Sequence, residues 1–283
     1  MRVRVCQVFV LGGLLLSACA GVPPHEGLPP AAKDQITSTE VVVPIQQSEI
    51  YVFVPQETAG AANGLIGALV DVTVDAIRTS KAEKSVKRLR DALVDYNFDT
   101  VMQRQVQTAL LQLPWLHVDN VHVIKETTSD SLDQALASSK DAAVMFTTAD
   151  YQLSNDGSVL TVTVTASLFP KSDALRALKQ GRSSSTLSAP ANSLYHDTLK
   201  FEMRGPKATT DRDSNMDNWS VNNGAAARAG LNQAAAKLSW LLAQDLQSTM
   251  TSPSGAIANT DSSGSLAREQ NGTLSFVALL ATP

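Results

Sequence analysis

Hydrophobic and polar positions recur along this chain with two different periods, and each period predicts a different kind of element. Val41-Val42-Val43 and Ile50–Val54 are short β-branched runs bounded by Pro44 and Pro55. They predict two strands, the first near a sheet edge. A glycine-rich stretch, Gly60–Gly67, leads into Leu65, Ile66, Leu69, Val70, Val74 and Ile77, three and four apart, with Asp71, Asp75 and Arg78 on the other side. That spacing predicts an amphipathic helix. Residues 81–94 set Val86, Leu89 and Leu93 among Lys84, Lys87, Arg88 and Arg90, a helix whose basic cluster lies on its wet side. Phe98, Val101, Met102, Val106, Ala109, Leu110 and Leu113 then follow the 3.6 period, with Asn97 placed to cap them and Pro114 to stop them.

Trp115–Ile124 alternates as a strand does, Leu132, Ala135 and Leu136 suggest a short helix capped by Asp130, and Ala142–Leu153 is an apolar strand. The clearest hairpin follows. Ser154–Ser158 is rich in turn residues, and after it Leu160, Val162, Val164, Ala166 and Leu168 alternate with Thr161, Thr163, Thr165 and Ser167. The threonine face is either solvated or a face on which something binds. Pro170–Ser193 is polar, with a helical turn at Asp173–Lys179, and is a candidate contact loop before a strand at Tyr195–Met203. Ala225–Leu246 carries Leu231, Ala235, Leu238, Leu242 and Leu246 on one side of a long helix. Residues 249–271 read as a flexible linker, and the apolar segment at residues 272–283 would add a last strand or engage a partner. The expected fold class is α/β (α+β), a mixed, largely antiparallel sheet packed against several helices, with one domain over residues 40–248.

The chain has 283 residues, 43% hydrophobic and 18% charged, enough for a sizeable core and unlike a disordered tail. Arg2 and Arg4 precede an apolar run, Val5–Leu16, that is shorter than the roughly 20 residues needed to span a bilayer. Residues 1–18 therefore read as a signal peptide. The run ends in Leu16-Ser17-Ala18-Cys19, which resembles the lipobox of bacterial lipoproteins. The resemblance implies cleavage before Cys19, a diacylglyceryl thioether on its sulfur and a further acyl chain such as palmitate on its amine, which together anchor stably. In the enterobacterial pattern an aspartate after the cysteine retains such proteins in the inner membrane. Ala20 stands there, so the outer membrane, periplasmic face, is expected. Cys6 leaves with the leader, and no disulfide is expected of Cys19 alone. Residues 19–39 hold four prolines and no apolar periodicity, as in a lipidated, proline-rich tether.

Net charge is −4, and −6 once Arg2 and Arg4 are removed, which argues against a nucleic-acid partner. The glycine-rich stretch before residue 67 fits neither the Walker nor the dinucleotide fingerprint, and no cofactor is expected. His25, His117, His122 and His196 form no HExxH, and no serine sits in a GxSxG elbow. On a strand His117 and Asp119 would share a face and His122 would point away, so a shared zinc site is not expected. Asp91, Asp95 and Asp99 have i, i+4 spacing but read as helix-terminal charges. The run most like a ligand set is Asp211, Asp213, Asn215 and Asp217, at positions one, three, five and seven of a calcium loop. Met216 stands where that loop needs glycine and Asn222 where it needs glutamate, so no metal is assigned.

The order of elements over about residues 45–248 resembles the periplasmic domain of curli-secretion lipoproteins, of the TolB amino-terminal domain and of penicillin-binding-protein activator lipoproteins. The 98–113 helix, the segment DAAVMFTTADYQL and the 225–246 helix carry the likeness. It implies a non-catalytic adaptor or accessory subunit in envelope assembly or export, with an envelope protein as partner. An envelope hydrolase with a dispersed site and a ring-forming export subunit are the rival expectations. Cys19 is the one site residue assigned, as the point of lipidation.

Overall fold

The computed structural model describes residues 25–53, 80–179, 183–248, 259–261 and 263–279. The expected signal peptide at 1–18, Cys19 and the glycine-rich helix expected at 60–77 lie outside these. Ten strands are described: β1 (His25–Glu26), β2 (Thr39–Pro44), β3 (Tyr51–Val52), β4 (Val118–Ile124), β5 (Ala143–Leu153), β6 (Val159–Pro170), β7 (Tyr195–Arg204), β8 (Asn259–Asp261), β9 (Gly264–Arg268) and β10 (Leu274–Ala278). They form one sheet in the order β4-β2-β5-β6-β7-β10-β9-β8, with β1 beside β7 and β3 beside β5. The pairs β2/β4, β2/β5, β3/β5 and β7/β10 are parallel and the rest antiparallel. The helices are α1 (Pro30–Lys33), α2 (Ser80–Ala92), α3 (Phe98–Leu110), α4 (Ser129–Ser138), α5 (Asp173–Arg176) and α6 (Arg212–Gln247). The fold is a mixed, largely antiparallel sheet packed against helices.

Alternation decides the faces. Leu160, Val162, Val164, Ala166 and Leu168 of β6 are fully buried in the main core. There they meet Val86 and Leu89 of α2, Phe98, Met102, Val106 and Leu110 of α3, and Leu231, Leu238 and Leu242 of α6. On the other face α4 places Leu132 and Leu136 over Val42, Val144, Phe146 and Phe169. The second cluster explains the Val41-Val42-Val43 run. Because β2 lies between β4 and β5 and is covered on both faces, it needs no polar alternation. It is an interior strand, not an edge. Pro44 is tolerated because it is the last residue of β2, and the next amide, Ile45, donates to the Ile124 carbonyl (3.0 Å).

Several boundaries differ from those the pattern predicts. Residues 25–39 are not a free tether: β1 pairs with β7, and Leu28, Ala32 and Ile36 are buried in the main core. Trp115 belongs to a 3-10 turn (Pro114–Leu116) and His117 is left-handed (φ 45°), so β4 starts only at Val118. α4 is capped by Thr128, whose hydroxyl accepts from the Ser131 amide (3.2 Å), and not by Asp130. Arg90 is not on the wet side of α2: its guanidinium meets Glu83 (2.6 Å), Glu49 (3.2 Å) and the Ile50 carbonyl (2.8 Å). At the other end of the chain, β9 and β10 extend the sheet, so residues 264–271 are not linker. Phe276 of β10 stacks on Phe201 of β7 at 5.9 Å between ring centroids.

The last helix begins at Arg212, well before Ala225, and is broken at 221–224, where Asn222, Asn223 and Gly224 are all left-handed. Asparagine and glycine adopt that conformation at the lowest steric cost. The break lets the first segment fold over the β5–β6 hairpin. There Trp219 lies against Gly205, where a Cβ would stand 2.7 Å from its ring, and its indole N–H donates to the Gly157 carbonyl (2.8 Å). The second segment crosses the sheet.

Candidate functional site

Along β7 the inward positions are Tyr195, Asp197, Leu199 and Phe201, so the strand's phase drives a carboxylate into the core at 0% exposure. A buried charge is tolerated only with partners. Arg268, the last residue of β9, grips Asp197 with two hydrogen bonds (2.9 and 3.1 Å) and reaches Asp245 of α6 (3.2 Å) and the Gly272 carbonyl (2.6 Å). Asp197 also accepts from the Thr198 amide (2.9 Å), and Asp245 from the Tyr195 hydroxyl (2.8 Å). His25 Nδ1 of β1 stands 3.4 Å from Asp197.

The electrostatics follow from burial. Burial and the neighbouring Asp197 charge raise the Asp245 carboxyl above its usual range, against the pull of Tyr195, His25 and Arg268. Burial also pushes the Tyr195 phenol well up. For Arg268, burial works against the charge, but the hydrogen bonds and charge of Asp197 outweigh it and raise the guanidinium further. His25, Asp197 and Asp245 offer ligand atoms within 4.8 Å of one another, the spacing of a metal site. Arg268 already supplies a cation to both carboxylates. The arrangement ties β1, β7, β9 and α6 together, and its chemistry is that of a structural clip.

A second polar pair lies on the opposite face of β7. Ser167 Oγ and His196 Nδ1 are 2.8 Å apart, both about 96% buried, and are direct cross-strand neighbours of β6 and β7. Burial depresses the imidazole to about 4, against the Asp197 charge, so it is neutral at pH 7. A nucleophile and base at this distance would suit acyl transfer only if substrate reached them, and the pair is covered. Nearer the open end of this face, Thr161 and Thr163 are half-exposed, whereas Thr165 is buried. The threonine face is thus partly solvated. Asp150, beside Thr163 on β5, accepts from the Tyr51 hydroxyl (3.1 Å), and burial raises its pKa.

The residues singled out from spacing do not converge. Asp91 pairs with Lys87 (2.6 Å), Asp95 with Arg228 and Asp99 with Lys125 (2.5 Å). His117 sits before β4, while His122 lies on it 3.8 Å from Glu40. The Asp211–Asp217 run caps and opens a helix instead of forming a calcium loop, so its oxygens diverge, with Asn215 buried. Asp211 caps α6 by accepting from the Ser214 amide (2.9 Å), and Asp217 meets Arg88 (2.5 Å). The Asn215 amide nitrogen donates to the Asp156 and Thr209 carbonyls (2.8 and 2.9 Å).

Spacing misses the clip because its members lie far apart in sequence. The one visible signal is Asp197 standing in the apolar phase of its strand.

Neither a protein-family model nor a curated protein matches the chain. Among solved structures, a PelC dodecamer from Paraburkholderia phytofirmans is similar at 13% identity and a TM-score of 0.30, over 80% of this chain and 96% of that one. A single-substitution variant of that dodecamer gives 13% identity and a TM-score of 0.25, over 75% and 90%. A likeness this loose carries no argument about what the chain does.

Proposed function

We propose that the chain is a lipoprotein of the outer membrane, facing the periplasm, whose folded domain acts as a non-catalytic adaptor or accessory subunit in envelope assembly or export. The observation that carries the reading is Leu16-Ser17-Ala18-Cys19 at the end of a charged-then-apolar leader. Among the described residues, the carboxylates of Asp197 and Asp245 are occupied by Arg268, Tyr195 and the Thr198 amide, and Ser167–His196 is enclosed, which is compatible with a binding rather than a catalytic role. The test is crosslinking in intact cells followed by detergent extraction and sizing of the lipidated protein. A stoichiometric foreign envelope protein is expected. A partner-free monomer that turns over labelled peptidoglycan or lipid would overturn the reading in favour of a hydrolase, and a large assembly of this chain alone would favour an export ring.

A further inference from the structure

Resting on the lipid anchor proposed above, the distance from the anchor to the fold decides how the domain is held. His25 lies six residues after Cys19 and is already part of the sheet. Its strand pairs with β7 (His25 with Asp197, Glu26 with His196), and Lys179 binds both Glu26 oxygens (2.8 and 3.1 Å). Leu28, Ala32 and Ile36 then anchor the following residues in the core. Six residues fully extended reach about 22 Å. A compact domain of this size has a radius of gyration of about 18 Å, hence a breadth of roughly 45 Å. The link is shorter than the body it holds.

Direction along β7 then distinguishes the two ends of the domain. His25 sits opposite Asp197, near the start of β7. Beside it lie the tail of α5, through Lys179 and Glu26, and the β9–β10 turn, through Arg268, Asp197 and the Gly272 carbonyl. Arg204, at the other end of β7, is seven residues further on, about 23 Å in a strand. The β5–β6 turn lies beyond it, with the Gly205 amide donating to the Ser158 carbonyl (2.8 Å), and the start of α6 packs on that turn. A bilayer that holds Cys19 cannot meet that far end with the domain standing on it, because His25 would then be carried beyond the reach of the link. We infer that the domain sits on the lipid surface by the corner formed by β1, the α5 tail and the β9–β10 turn, and presents the β5–β6 hairpin end to the periplasm.

The full lipidated protein reads this out directly, because Cys19 is blocked by its thioether and an introduced thiol is unique. Gln270→Cys and Ala177→Cys mark the corner and Thr210→Cys the far end, all at exposed positions. Each carries an environment-sensitive fluorophore on vesicles of phosphatidylethanolamine and phosphatidylglycerol containing headgroup-spin-labelled phosphatidylcholine. Quenching at residues 270 and 177 is expected to exceed that at 210 severalfold. Equal or stronger quenching at 210 would overturn the orientation. A Gly/Ser insert of about 20 residues after Ala20 adds about 25 Å of reach and should erase the contrast; its persistence would overturn the short link as the cause. Failure of the parent protein to float with the vesicles would instead overturn the lipid anchor, and the orientation with it.

Discussion

Asp197 shows how one residue can govern a distant part of the chain. Its carboxylate has no exposure and depends on Arg268 for two of its hydrogen bonds. Removing one partner of a buried pair strands the other, so Arg268→Ala should cost about 3–5 kcal/mol in urea unfolding. Arg176→Ala, whose pair with Asp173 is exposed, should cost less than about 1 kcal/mol. Asp150 offers a pH test. Its folded pKa lies above the usual 3.8, so the native state binds the proton more tightly than the unfolded chain does. Its contribution is therefore fully present below that usual value and is lost as pH rises through the folded pKa. Asp150→Asn keeps an acceptor for the Tyr51 hydroxyl and removes the charge. Its Tm should exceed the parent's at pH 7, and the difference should close below pH 3.8. A gap unchanged between the two pH values would refute the assignment.

At the scale of elements, the break in α6 and the C-terminal hairpin make separate demands. Gly224 has φ 71°, and a Cβ there would lie 3.1 Å from Leu93 Cδ2. Gly224→Ala should destabilise by about 1 kcal/mol or more, seen as a lower urea midpoint. Truncation after Ser248 removes β10, and with it Phe276 and the Arg268 that neutralises Asp197. It should abolish cooperative melting, whereas a dispensable tail would leave the transition intact. Elements were legible where one face is wet. β6 and α3 show clean periods because their outer positions remain polar. β2 is legible from its β-branched run but expected near an edge because of Pro44, which an interior strand accommodates as its last residue. β9 was hidden by composition: in Gly264–Arg268 only Leu266 is a large apolar residue. Residues 25–39 did carry a signal, Leu28, Ala32 and Ile36 four apart, masked by the prolines between them. The clip was illegible for a different reason: β1, β7, α6 and β9 meet only through the sheet order, which no local spacing encodes.

At the scale of the whole molecule, the fold revises what the amino-terminal region does. A proline-rich stretch that looked like reach is largely part of the domain from His25 on, so the proposed anchor at Cys19 would stand only six residues from the sheet. On the proposed anchor, attachment and orientation would become one property, leaving the hairpin end and the flanks open to a partner. All of this depends on Cys19 being the mature amino terminus and carrying lipid. The most direct test is mass spectrometry of the amino-terminal peptide from detergent-extracted protein. A peptide that begins at Cys19 and carries a diacylglyceryl thioether, absent in Cys19→Ala, is the predicted result. An amino terminus at another residue, or a free thiol on Cys19, would contradict it.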